Sequence, residues 1–213
     1  MADRLSAKNS DSKFRPHPEG QFVGQCVDVI DLGEKVSEFP GKATSLSHKC
    51  ALVFRTGEVN LETGELVDIA QEYTVSMGEK ANLRKALESW RGKPYSEEEC
   101  DAGVPLDKLE GQYALVGVGN KTSGSGKKYG YIISLVAIPR QMKKDLPGFA
   151  QYERAKYWED RRADYAKAAQ KFRDDIGAGQ ESGKRVASPT PFSDDGDPSP
   201  EYTGDDDMDS LPF

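Results

Sequence analysis

Two groups of residues in this 213-residue chain have types and spacing suited to recognition. The first is the run Asn120-Lys121-Thr122-Ser123-Gly124-Ser125-Gly126-Lys127-Lys128-Tyr129. Its ammonium groups, Lys121, Lys127 and Lys128, can neutralise backbone phosphate, and the ring of Tyr129 can stack on a flat base whatever its identity. The second is the acidic run Asp205, Asp206, Asp207 and Asp209, followed by Leu211, Pro212 and Phe213. Repulsion among four carboxylates keeps such a segment solvated and extended. An aromatic ring beside a terminal carboxylate is then a peptide ligand, with one apolar anchor and one fixed charge for a basic groove. An acidic tail that only aids solubility has no need of the Pro-Phe ending.

Further candidates lie in the first half of the chain. The stretch Gly33–Ser45 offers Lys35, Phe39 and Lys42 around Pro40-Gly41. Lys49 and Arg55 fall on the polar side of a strand pattern, where they are expected to line a groove between the two loops. Tyr73 is a third possible stacking ring, although it shares a face with Ile69 and Val75. Trp90 completes a Leu83/Leu87 stripe and is assigned to the core.

Catalytic and metal chemistry find no matching pattern. There is no nucleophile elbow, no Ser/His/Asp spacing and no H-E-x-x-H. The Gly126-Lys127 pair is not a phosphate-binding P-loop, because Lys121 and Lys128 stand where Gly and Ser or Thr are required. The Asp205/Asp207/Asp209 alternation has Ser210 in place of the Gly of a calcium loop. Cys26, Cys50 and Cys100 are scattered and odd in number, and only His17 and His48 accompany them, so neither a disulfide framework nor a zinc cluster is indicated. The expectation is a non-enzyme with no cofactor and no metal.

Net charge is −7, which by itself disfavours a nucleic-acid partner. Its distribution reverses that inference. Eight acids and no Lys or Arg lie between Asp194 and Phe213, so the rest of the chain carries about +1. The N-terminus has no apolar run and no stretch reaches the length of a membrane span, so a cytoplasmic protein without a membrane role is expected.

The elements that must position these residues follow from periodicity. Residues 1–19 form a polar leader. Strand patterns cover Gln21–Leu32, Leu46–Arg55, Asp68–Met77, Gln112–Gly119 and Tyr129–Ile138. Between the third and fourth, Ser76-Met77-Gly78-Glu79 predicts a capping box, ahead of the Leu83, Leu87, Trp90 stripe and the Gly92/Pro94 stop. Five strands with a helix in that slot match an OB-fold barrel over residues 20–142; another small barrel or a sandwich would give the same order of elements. Residues 148–176 predict a charged helix with Trp158, Tyr165 and Phe172 every seven residues, resting on its own domain or on a second copy. Residues 177–213 predict a Gly/Ser/Pro/Asp linker and acidic tail.

Two resemblances add to this. The Asp205–Phe213 ending is similar to the C-terminal tip of bacterial single-stranded DNA-binding proteins. The segments Tyr73–Lys85, Leu87–Lys93 and Cys26–Gly33 resemble a signature of phage single-stranded DNA-binding proteins, a likeness spanning roughly residues 20–140. The resemblance implies an OB-fold that coats single-stranded DNA in phage replication or recombination within the host cytoplasm, with replication and recombination proteins recruited by the tail. Two other readings share the fold: an OB-like adaptor that binds only proteins, and an RNA-binding OB protein. The charged helix has no counterpart in the resemblance.

Overall fold

The computed structural model describes residues 16–38 and 43–181, with side chains described up to residue 176. The fold is mainly β. Five antiparallel strands form one sheet: β1 (Gly20–Ser37), β2 (Ser45–Val59), β3 (Leu66–Thr74), β4 (Tyr113–Thr122) and β5 (Lys128–Val136). The order is β3-β2-β1-β4-β5. The long first strand is central because its two halves serve different neighbours. Gln25–Ser37 pairs with β2, and Gly20–Gln25 pairs with β4.

The expected closure into a barrel is not made. The outer strands β3 and β5 approach one another but share no ladder of hydrogen bonds. A helix, α1 (Asn82–Arg91), contacts both of them instead. Its buried Leu83, Leu87 and Trp90 complete the main core with Cys26, Leu52, Phe54, Ile69, Val116, Ile132 and Leu135. Phe54 and Trp90 meet edge to face at 5.2 Å, and the indole N–H donates to the Tyr113 carbonyl at 2.8 Å. The apolar edge filled by helix side chains is thus one that a ladder would otherwise have to cover.

The predicted capping box does not start α1. Ala81 is its N-cap residue and makes no side-chain cap, while Ser76 Oγ accepts from the Gly78 N–H at 3.3 Å in a turn before the helix. A reciprocal box forms further on. At α2 (Glu97–Ala102), Ser96 Oγ accepts the Glu99 N–H at 3.1 Å and Glu99 accepts the Ser96 N–H at 3.0 Å. The same S-x-x-E pattern occurs at both places, and the chain path decides which one caps. Gly92 does end α1, in the left-handed conformation at φ 76° that costs glycine least.

The charged helix α3 (Lys156–Glu181) begins later than its sequence pattern suggests, after a strap of residues 145–155 that is neither helix nor strand. It lies on the opposite side of the sheet from α1. Trp158 is buried there with Ile30, Leu32, Ala51 and Val53, and Tyr152, Ala155, Tyr157 and Tyr165 pack around them. The two faces of β2 therefore belong to two cores: Leu52 and Phe54 face α1, and Ala51 and Val53 face α3. Burial on both faces explains why the middle of this strand is a near-continuous apolar run.

Candidate nucleic-acid interface

The predicted groove on β2 and β3 is occupied by the protein itself. Arg55 is buried and engaged on all sides. Its Nε and one terminal nitrogen donate to the two Asp68 oxygens at 2.8 and 2.7 Å, and the other donates to the Ala150 and Gln151 carbonyls. The Tyr152 ring covers the guanidinium at 5.4 Å. Lys49 Nζ donates to Thr74 Oγ1 across the strand pair at 2.6 Å. Lys35 lies 5.3 Å from the centre of the Tyr165 ring, under α3.

Besides Lys35 and Arg55, the sheet charges that α3 and its strap engage are carboxylates, the wrong sign for phosphate. Arg154 grips Asp28 with two hydrogen bonds of 2.7 and 2.6 Å. Arg161 pairs with Glu72, which also accepts from the Tyr165 hydroxyl at 3.0 Å, and Arg173 pairs with Glu34. The helix and its strap bring the cations and the sheet brings the carboxylates. Lifting α3 would bare Asp28, Glu34 and Glu72, which repel a nucleic-acid backbone.

Two of the three predicted stacking rings are placed elsewhere than expected, and the third lies outside the described residues. Tyr129 is buried, at 8% exposure, and its hydroxyl titrates above the usual tyrosine range because burial disfavours the phenolate. Tyr73 lies opposite Cys50 on the core side of β3, half-buried against the main core, with its hydroxyl likewise pushed upward by burial. The Tyr129 ring therefore offers no open face to a base, while Tyr73 is partly exposed beside the core. Phe39 and Lys42 lie outside the described residues, as do the tail residues Asp205, Asp206, Asp207, Asp209, Leu211, Pro212 and Phe213.

The structure brings Lys121, Lys127 and Lys128 together at the exposed end of the β4–β5 hairpin. The turn is closed by the Ser123 N–H donating to the Lys127 carbonyl at 2.8 Å and by the Gly126 N–H donating to the Ser123 carbonyl at 2.9 Å. Lys121 reaches over the half-buried ring of Tyr131, with Nζ 4.6 Å from the ring centre. Beside Tyr131 stands Ile133, 62% exposed. It is the extra residue of a β-bulge, since Gly117 pairs with Ser134 and Val118 with Ile132. Gly119 lies under both side chains: a Cβ there would meet Ile133 Cδ1 at 2.6 Å and Tyr131 Cε1 at 3.2 Å. Glycine at this position lets the two side chains lie down on the backbone and form a low, flat surface.

Sequence reasoning missed Tyr131, Ile133 and the cations beyond β5, although a signal was present. From Gly111 to Lys144 the chain holds six Lys and Arg residues (Lys121, Lys127, Lys128, Arg140, Lys143 and Lys144) and no acid. Arg140, Lys143 and Lys144 are exposed on a 3-10 turn that follows β5. A run free of carboxylates favours a positive local potential, although the fold brings the Glu19 carboxylate to it from outside, where it accepts the Asn120 N–H at 3.2 Å. Among the described residues no group of His, Cys, Asp and Glu is arranged to hold a metal, and no helix is long and apolar enough to cross a membrane. Searches for relatives found no matching family model and no matching curated protein.

Proposed function

We propose that the protein is a non-catalytic single-stranded DNA-binding protein of OB type, similar to those of phages, and that it meets its strand on the outer face of the β4–β5 hairpin. The observation that carries this reading is the acid-free, six-cation segment Gly111–Lys144, folded so that Lys121, Tyr131 and Ile133 share one exposed surface. The five-stranded antiparallel sheet with α1 between β3 and β4 supports the OB assignment, as a Greek-key barrel left open at one seam.

The mechanism follows from the side chains. Lysines at the hairpin end and Arg140, Lys143 and Lys144 at the other would take successive phosphates, releasing condensed counterions. Tyr131 and Ile133 would take the face of a base. A base paired within a duplex keeps its faces stacked, so such a surface favours single strands and has little sequence preference. On this reading the protein works in the host cytoplasm during phage replication or recombination. The Asp205–Phe213 segment would recruit partner proteins, its Phe213 ring acting as the anchor and its carboxylates as the complement to a basic groove.

Fluorescence anisotropy of the full chain with labelled oligo-dT tests this at two salt concentrations, with duplex DNA and oligo-U as competitors. Salt-sensitive binding to oligo-dT that duplex displaces poorly is the expected result. Absence of binding at low salt would leave the adaptor reading, and tighter capture of oligo-U would leave the RNA-binding reading.

A further inference from the structure

The hairpin joining β2 and β3 ends in an exposed apolar tip. Leu61 is 90% exposed, Val59 44% and Leu66 38%. Val59 and Leu66 are cross-strand partners, so their side chains share one face. The turn holding Leu61 outward is closed by its own hydrogen bonds. The Asn60 N–H donates to the Glu65 carbonyl at 2.8 Å, the Gly64 N–H to the Asn60 carbonyl at 2.7 Å, and the Glu62 N–H to Asn60 Oδ1 at 2.9 Å. The buried Asn60 side chain therefore fixes a turn whose most prominent group is a solvent-facing Leu. A pre-ordered apolar apex loses little conformational freedom when it docks.

The charge around this tip is the mirror of the β4–β5 surface. From Thr56 to Glu79 the chain has six acids and no Lys or Arg; Asp68 and Glu72 are taken up by Arg55 and Arg161, and Glu58, Glu62 and Glu65 stand at the hairpin. From Gly111 to Lys144 the chain has six cations and no acid, around the exposed Ile133 and Val136. Within one molecule the two surfaces do not cover one another, because Leu61 and Ile133 are 90% and 62% exposed.

We propose that the β2–β3 hairpin tip of one copy docks on the outer face of β4–β5 of a second copy. Leu61 would seat against Ile133 and Val136, with the hairpin carboxylates facing the surrounding cations. Each copy has one tip and one receiving face, so the contact is heterologous and propagates as a chain unless its rotation closes a ring. The proposal stands whether or not the same face also takes a nucleic-acid strand.

Sedimentation velocity of the full chain without nucleic acid, from low to high micromolar concentration and at two salt levels, tests it. The average mass should rise with concentration and fall with added salt. Leu61→Ser and Ile133→Ser, both at exposed positions, should each weaken association by at least about tenfold, as expected for loss of an apolar anchor. A chain carrying Glu58→Lys and Glu65→Lys should stop associating with itself, yet bind a chain carrying Lys143→Glu and Lys144→Glu. A monomer at every concentration overturns the proposal. So does association that survives Leu61→Ser but is lost with Ile133→Ser, which would assign the face to another segment.

Discussion

Arg55 and Asp68 face one another across β2 and β3, and the guanidinium donates two parallel hydrogen bonds of 2.8 and 2.7 Å to the carboxylate beneath the strap that leads into α3. Both side chains are 9% exposed. This pair takes Arg55 out of reach of a ligand and fastens the strap at Ala150 and Gln151. Arg55→Ala would leave the Asp68 carboxylate buried without its partner, which costs about 3–5 kcal/mol. Urea denaturation should show that loss. Anisotropy with oligo-dT, compared per folded molecule, should be unchanged; a clear affinity loss in a fully folded variant would return Arg55 to the interface.

Tyr129 and Tyr131, two positions apart, should separate stability from binding. Tyr129→Ala removes a buried ring and should cost roughly 3–5 kcal/mol of stability, in the range of large aromatic truncations. Tyr131→Ala should leave the melting temperature nearly intact and weaken oligo-dT binding by roughly 1–3 kcal/mol, the range for a ring stacked on a base. The opposite pattern would show that the interface does not use the outer face of β5.

Changing Lys121, Lys127 and Lys128 to Ala should flatten the salt dependence of binding. Each phosphate left without its ammonium partner lowers the log–log slope by about 0.7 for a single strand. Anisotropy titrations across a range of salt give this slope directly. A slope identical to that of the unaltered chain removes the hairpin end from the site.

Trp158→Ala should detach α3. The indole fills the second core against Ile30, Leu32, Ala51 and Val53, and its loss should cost about 3–5 kcal/mol. Hydrogen exchange should then rise along residues 156–176. The sheet face uncovered in this way carries Asp28, Glu34 and Glu72, so oligo-dT affinity should not increase. A gain in affinity on loosening the helix would make α3 a cover over a binding face, contrary to the charge pattern.

His17 predicts a pH response at the start of the fold. Its Nε2 stands 2.6 Å from Thr56 Oγ1 and its ring meets Phe22 edge to face. Burial holds its pKa below the ordinary 6.5. The unfolded chain therefore takes up a proton more readily than the folded one, and stability falls as pH drops through and below 6.5. His17→Gln should be less stable than the unaltered chain at neutral pH, with a smaller stability loss between pH values above and below this point. Parallel pH profiles from thermal melts would contradict the assignment.

Local pattern carried much of this molecule. All five strand patterns correspond to strands of the sheet, and the Leu83, Leu87, Trp90 stripe is the buried face of α1. These follow from hydrophobic period and glycine stops, which are properties of neighbouring residues. The hairpin bearing Lys121, Lys127 and Lys128 was legible for the same reason. The acid-free run through Lys144 was equally present in the sequence, as charge rather than as a motif.

What the tertiary structure decided are the matters of which side and against what. Alternation on β2 separates its two sets of side chains, but only the arrival of the strap leading into α3, about 95 residues later, covers Arg55. Two S-x-x-E boxes stand in the sequence, and the path of the chain caps α2 with the second. Tyr129 and Tyr131 have the same parity, yet one is buried and the other half-buried beneath Lys121. The bulge at Ile133 breaks the period that sequence reading relies on, turning both Ile132 and Leu135 inward and leaving Ile133 outside. The physical reason is common to all of these. Period and composition state which residues avoid water, whereas the partner that shields each one is supplied by segments distant in the chain, through packing that no local pattern encodes.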